Sequence, residues 1–250
     1  MHGVSKQAGD PRVSEWRARL AGARELGPTG LLLAGATLMP LLGSALFVAA
    51  LPRIEHIFRP GDALALALFV AGLAATAGLA LVNTQVVALW AGWLWGFGVG
   101  LAASFAGILL AAALGHALAS RLEGERFAAW LARSPRAAAV HAALAADARG
   151  ATTTTMLLRV SPIVPFALVN VLLAAAKVPF PAFLVGSGIG AVPRTALVCF
   201  AGAQLASFDA QAGPDQWWRV WFALGASAAL FAWLGWSARR ALARRLAAPG

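Results

Sequence analysis

Long apolar runs alternate with short polar ones along this chain. Residues 28–52, 63–82, 86–100, 101–120, 152–176, 182–203 and 217–236 are almost wholly apolar. A helix of about twenty apolar residues spans a ~30 Å hydrocarbon core. The pattern predicts an all-α polytopic membrane protein. The interruptions are as informative as the runs. Asn83-Thr84-Gln85 separates the second run from the third and predicts a helical hairpin over 63–100. Its second arm, about fifteen residues at ~1.5 Å each, falls short of the core, which suits a re-entrant hairpin. The first arm is long enough to cross, so two full crossings are the other reading. Ser161-Pro162 to Pro165 breaks the run 152–176 into a second helix–break–helix unit. A proline inside a helix removes one hydrogen bond and clashes with the turn before it. By the same rule Pro40 interrupts the first run.

The polar segments set the orientation. Residues 1–27 carry five basic residues, 121–149 carry five arginines, and the tail 237–250 carries four, whereas 204–216 has no lysine or arginine. Positive segments stay on the cytoplasmic side. This places the leader 1–27, the segment 121–149 and the tail in the cytoplasm, and 204–216 outside. The short link 53–62 then lies outside, with two arginines against the trend. The expected order is an anchor (28–52), a hairpin (63–100), a span (101–120), a second hairpin (152–176), a span (182–203) and a last helix (217–236) belted by tryptophans. Hairpin-plus-span occurs twice in opposite orientations, an inverted-repeat, transporter-like architecture.

Composition agrees. Sixty per cent of the 250 residues are hydrophobic and 12% charged, against about 25% charged in soluble domains. The net charge of +10 sits between the apolar runs and is no nucleic-acid footprint. The single cysteine, Cys199, excludes an intrachain disulfide. No cluster of acids, histidines or cysteines has metal-ligand spacing. No cofactor and no metal is expected. Membrane lipids are the expected partners, self-association is left open, and no nucleic acid is expected.

The candidate chemistry lies between Met156 and Arg194, an apolar stretch with two arginines, an asparagine, a lysine and five prolines. A charge at the centre of a membrane helix costs roughly 2.5–3.5 kcal/mol on insertion scales, so such residues mark function or internal pairing. Arg159 stands three residues before Pro162, and Arg194 follows Pro193. Gly186, Gly190 and Arg194 share one helix face, so a groove of missing side chains leads to a guanidinium. Guanidinium groups bind phosphate bidentately. Arg159 and Arg194 are the expected phosphate contacts, with Asn170 lining the path and Pro162, Pro165, Pro193 and Gly190 keeping the helices broken. The competing reading is structural: each arginine bonds carbonyls freed by the prolines. No acid occurs between residues 63 and 122 or between 150 and 208, so no carboxylate relay for protons is visible. His116 reads as a packing histidine. Gly186-Ser187-Gly188 raises an intramembrane serine protease only weakly, because His116 is its sole intramembrane base. No catalytic residue is assigned.

At these residues the chain resembles the SNARE-associated Golgi-protein family, also called the VTT-domain or DedA superfamily, and its Tvp38-like branch most. The carrying residues are Arg159, Pro162, Pro165, Phe166 and Asn170, then Val178-Pro179-Phe180 with Phe183, then Gly190, Pro193 and Gly202. Upstream, Ala91-Gly92, Trp95-Gly96 and Gly100 resemble the family's glycine pattern, and Arg121 its arginine closing the next span. The resemblance covers residues 60–205. Ala174 stands where the family usually has glycine, and Val160 replaces a leucine. The resemblance implies lipid movement across a bilayer. The acid that DedA proper carries in the first hairpin has no counterpart here, which argues against proton coupling. The expectation is an inner-membrane protein that translocates or scrambles a phospholipid or polyprenyl-phosphate lipid, and is not an enzyme. The alternative is a non-transporting membrane organiser that binds lipid or partners through 121–149. On this reading Arg159→Ala abolishes transport and leaves folding intact.

Overall fold

The computed structural model describes residues 28–58, 61–122, 148–160 and 165–206, with scattered positions between 218 and 244. The leader, most of the segment 121–149, Pro162, the loop 204–216 beyond Ala206, and the last span and tail as continuous units lie outside the described residues. Those described form helices and turns. The first helix, α1, is Pro28–Ile54, continued by a 3-10 turn over Glu55–Ile57. Pro28 suits a first helical position, where its missing N–H is unpaired in any case. The expectation that Pro40 interrupts this run is not met: α1 passes through Pro40 and Pro52. Proline's fixed φ is itself helical, so the loss is one hydrogen bond, and Ser44 Oγ donates to the Pro40 carbonyl.

Helix α2 is Ala63–Gly78, capped by the Asp62 side chain, which accepts from the Leu64 N–H at 2.8 Å. A carboxylate there satisfies a donor that has no partner within the helix. The chain reverses over 79–83. Ala80 takes φ 61° and the Leu81 N–H reaches the Thr76 carbonyl at 2.7 Å. Asn83 then starts α3, its Oδ1 accepting from the Gln85 N–H at 2.9 Å. The polar triplet thus caps the second arm, and the reversal precedes it.

Helix α3 is Thr84–Leu122, broken at Gly96, where φ is 74° and ψ 179°. A side chain at Gly100 would sit 2.6 Å from the Ala91 carbonyl oxygen. Nine residues of straight helix rise ~13.5 Å, so the chain folds back sharply at Gly96. This corrects two boundaries. The hairpin closes at Gly96 and not at residue 100, and the long helix begins at 97 and not at 101. Only glycine occupies that φ/ψ region without strain. Nothing lies within 4 Å of a Cβ at Gly96, so space is not the issue. Gly96→Ala is therefore expected to cost roughly 1–3 kcal/mol from torsion alone. The check is a lowered thermal midpoint in detergent, with Gly98→Ala, also in open space, as control.

The second half repeats the plan. Helix α4 is Ala148–Val160, α5 is Phe166–Ala175 and α6 is Phe180–Ala206. Pro165, at φ −55° and ψ 142°, opens α5 as its cap. Lys177, at φ 53°, turns the chain into α6. Pro193 does not break α6, which runs through it. Gly190 is likewise helical; its role is contact, since a Cβ there would lie 2.7 Å from that of Arg159.

Contacts give the directions. Gly107 packs on Leu73, and Gly78 on Ala111 and Leu114, so α2 runs parallel to the long part of α3. Gly186 packs on Thr152 and Thr155, and Gly190 on Met156, so α4 runs parallel to α6. His116 stacks on Phe183, Gly188 faces Phe105 and Leu109, and Cys199 approaches Ser104, so α3 and α6 are antiparallel. Two like units thus pack head to tail. Small residues permit this: Gly92 lies on the Cys199 backbone and Gly202 on Leu89 and Trp93. Lipid tails supply no hydrophobic drive between helices, so close backbone approach carries the packing. One core gathers Phe69, Leu73, Trp90 and Ile108. The other gathers Leu158, Val169, Leu173 and Phe183. Leu38, Leu42 and Leu46 of α1 and Val185 and Ile189 of α6 point outward. The stretches Leu38–Ile57, Thr84–Arg121 and Phe180–Ala206 are long and apolar enough to cross a membrane.

Candidate functional site

The second hairpin places a guanidinium in the middle of the bundle. Arg159 lies one residue before the end of α4 and is 2% exposed. Its Nε donates to Ser187 Oγ on α6 at 3.1 Å, its Nη1 to the Phe166 carbonyl at 3.3 Å, and its Nη2 to Asn170 Oδ1 on α5. Its Cζ lies 4.4 Å from the Phe166 ring centroid and 5.6 Å from that of Phe183. Among the described residues no carboxylate takes part. Three acceptors and two aromatic faces hold a charge that would otherwise be costly to bury. One residue therefore ties α4, α5 and α6 together.

The carbonyl that Arg159 meets is that of Phe166, the first residue of α5 after the Pro165 cap, and not one four residues before a proline, so it is not a carbonyl freed by a missing proline N–H. The sequence alone offers Ser187 as a packing residue or a weak nucleophile; in the structure its oxygen accepts from Arg159. The signal was available: a polar residue between two glycines on the buried face of a long helix. Phe166 and Phe183 were recognised as motif residues but without this cation–π role.

Asn170 is also 2% exposed. Its Oδ1 is occupied by Arg159, and its Nδ2 has no hydrogen-bond partner. A side chain at Gly115 of α3 would collide with that Nδ2 and would come 3.2 Å from the Gly78 carbonyl. The tip of the first hairpin thus meets the second hairpin at Gly115. His116, next in sequence, stacks on Phe183 with ring centroids 4.2 Å apart. It packs as expected, yet its Nδ1 is buried without a partner.

Arg194 stands one turn beyond Gly190 on α6. It is half-buried, and its Nε is out of solvent with no hydrogen-bond partner. Gly190, one turn before it, is the point where α6 meets Arg159, since a Cβ there would lie 2.7 Å from that of Arg159. The structure brings together Arg159, Asn170 and Gly190 directly; Arg194 stands one turn beyond Gly190 on the same helix. Pro165 borders the group, Pro193 adjoins it within an unbroken helix, and Pro162 lies outside the described residues. The only acids among the described residues, Glu55 and Asp62, flank the 3-10 turn and cap α2. Among the described residues the group holds two arginines and orphaned donors with no carboxylate beside them, a set that could hold an anion.

Neither a curated protein nor a solved structure matches the chain at a significant level. Residues 82–204, which hold every residue of this group, match the family model of the VTT domain.

Proposed function

The chain belongs to the VTT-domain family through residues 82–204, and from that premise we propose that it translocates or scrambles a phospholipid or polyprenyl-phosphate lipid. The observation that carries this reading is the acid-free arginine pair inside a bundle of membrane-spanning helices. Arg159 is held by its own acceptors, but Arg194 keeps a buried donor without a partner among the described residues, and a lipid phosphate is an anion that can reach a membrane bundle. The two hairpins are read as re-entrant, entering from opposite faces. Helix α2, at about 24 Å for its sixteen residues, falls short of a ~30 Å core, which favours re-entry. The positive segments put both termini in the cytoplasm of an inner membrane. The motif residues around Arg159, Pro165, Phe166 and Asn170 support the Tvp38-like branch within the VTT-domain family. Partners beyond lipids, including a second copy, follow no specific contact among the described residues.

The test is a fluorescent-lipid translocation assay in proteoliposomes. Wild type is compared with Arg159→Ala and Arg194→Ala, with and without a pH gradient. Wild-type transport is expected, with loss of tenfold or more in both variants, the weight of a charge-assisted hydrogen bond. Indifference to the gradient makes the protein a scramblase. Well-folded wild type that moves no phosphate lipid would overturn the reading in favour of a membrane organiser.

A further inference from the structure

We propose that the two arginines divide the work of the site: Arg194 meets the anionic headgroup, and Arg159 is a positioning residue that fixes the Asn170 amide beside it. This rests on the reading of the bundle as a mover of phosphate lipids. It departs from a symmetric clamp, in which both guanidinium groups grip the phosphate.

The geometry separates the two side chains. Arg159 has an acceptor on each of its three nitrogens and an aromatic ring close by on α5 and on α6. Three of its five N–H groups are engaged, and the enclosure leaves little for a ligand. Arg194 is the opposite case. Its Nε is shielded from water and has no partner. A buried charged donor left unpaired is costly, and an arriving phosphate oxygen removes that cost. Planar guanidinium geometry lets the same group bind two phosphate oxygens.

Asn170 links them. Arg159 can only donate, so the atom that Asn170 turns to it must be the oxygen. The amide nitrogen is then forced to the other side, where it is buried and unpartnered. Gly115 leaves it room, since any side chain there would strike it. Arg159 thus sets which donor Asn170 presents. Its bond to Ser187 locks this arrangement to α6, the helix that carries Arg194.

The experiment uses the full chain in phosphatidylcholine vesicles carrying fluorescent phosphatidate. The half-saturating phosphatidate fraction and the maximal rate are measured for wild type, Arg194→Gln, Arg159→Lys, Asn170→Ala and the last two combined. Thermal midpoints in detergent accompany them. Arg194→Gln is expected to raise half-saturation about tenfold or more with no fall in midpoint. Arg159→Lys keeps the charge but cannot hold the amide. It and Asn170→Ala are each expected to raise half-saturation about threefold to tenfold, and together no more than the larger single effect. Contact alone couples Arg159 and Asn170 in the thermal midpoint, so the discriminating readout is half-saturation: a merely structural Arg159→Lys lowers the midpoint and leaves the half-saturation of the folded protein unchanged. The proposal is overturned if wild type transports and Arg194→Gln stays within twofold of it, or if the Arg159 and Asn170 effects multiply. If wild type moves no phosphatidate, the functional reading fails first and takes the proposal with it. Thermal protection by inorganic phosphate alone, lost in Arg194→Gln, keeps Arg194 as the anion contact and overturns the lipid as its source.

Discussion

Gly92→Leu is expected to disassemble the bundle more completely than any other single change. Gly92 packs on the Cys199 backbone, and even a methyl group there would lie 2.8 Å from the Cys199 Cα. Real Cβ atoms do not approach so closely, and backbone cannot rotate aside as a side chain can. Gly202 faces Leu89 and Trp93 in the same crossing, so the contact is tight from both helices. Overpacking a filled core costs ~1–3 kcal/mol when side chains can adjust, and occasionally more. Here α3 and α6 must separate, and with them the two halves. The measurement is size-exclusion monodispersity in mild detergent with the thermal midpoint. Gly92→Leu should aggregate or melt at once, and Gly92→Ala should fall between it and wild type. A monodisperse Gly92→Leu with a normal midpoint would show that the crossing is looser than described.

The second large effect is expected at Arg159, and it revises an expectation stated from the sequence. Arg159→Ala was expected to leave folding intact. With Arg159 removed, the Ser187 hydroxyl and the Asn170 and Phe166 oxygens lose their donor, and a cavity opens between two rings. Each unsatisfied buried group costs about 1–3 kcal/mol, partly offset by the release of a buried charge. A net loss of about 2–3 kcal/mol is therefore expected for Arg159→Met, which fills most of the volume. Arg194→Met removes an unpaired charge and is expected to be neutral or stabilising. Equal midpoints for the two variants would contradict this contrast. Urea or heat titration in the same detergent gives the numbers.

The reversals were legible because they are built from residues with local chemistry. Asn83 caps a helix wherever it stands before one, and Pro165 favours opening α5 over ending within it. The position of the first break was hidden. Gly92, Gly96 and Gly100 have one spacing and three roles: a helix crossing, a fold-back at positive φ, and a close approach to Ala91. Periodicity cannot distinguish them, because only the fold-back creates the approach. Pro40 and Pro193 misled for the converse reason. Proline's φ fits a helix, and the single lost hydrogen bond is tolerable once neighbouring helices fix the path. The site was legible as an arginine beside an asparagine on one hairpin. Ser187 was not, since its partner lies 28 residues away in sequence. That pairing exists only because α4 and α6 run parallel at Gly186 and Gly190.

Among the described residues no acid adjoins Arg159 or Arg194, and this also bears on voltage. A guanidinium stays protonated at neutral pH, so these residues put fixed positive charge within the bilayer's electric field. A potential of 100 mV acts on one elementary charge, carried fully across, with about 2.3 kcal/mol. On the proposed reading, an anion at Arg194 would cancel part of that charge and leave the field less to act on. Any rearrangement that shifts these helices without the anion would then be the more electrically sensitive step.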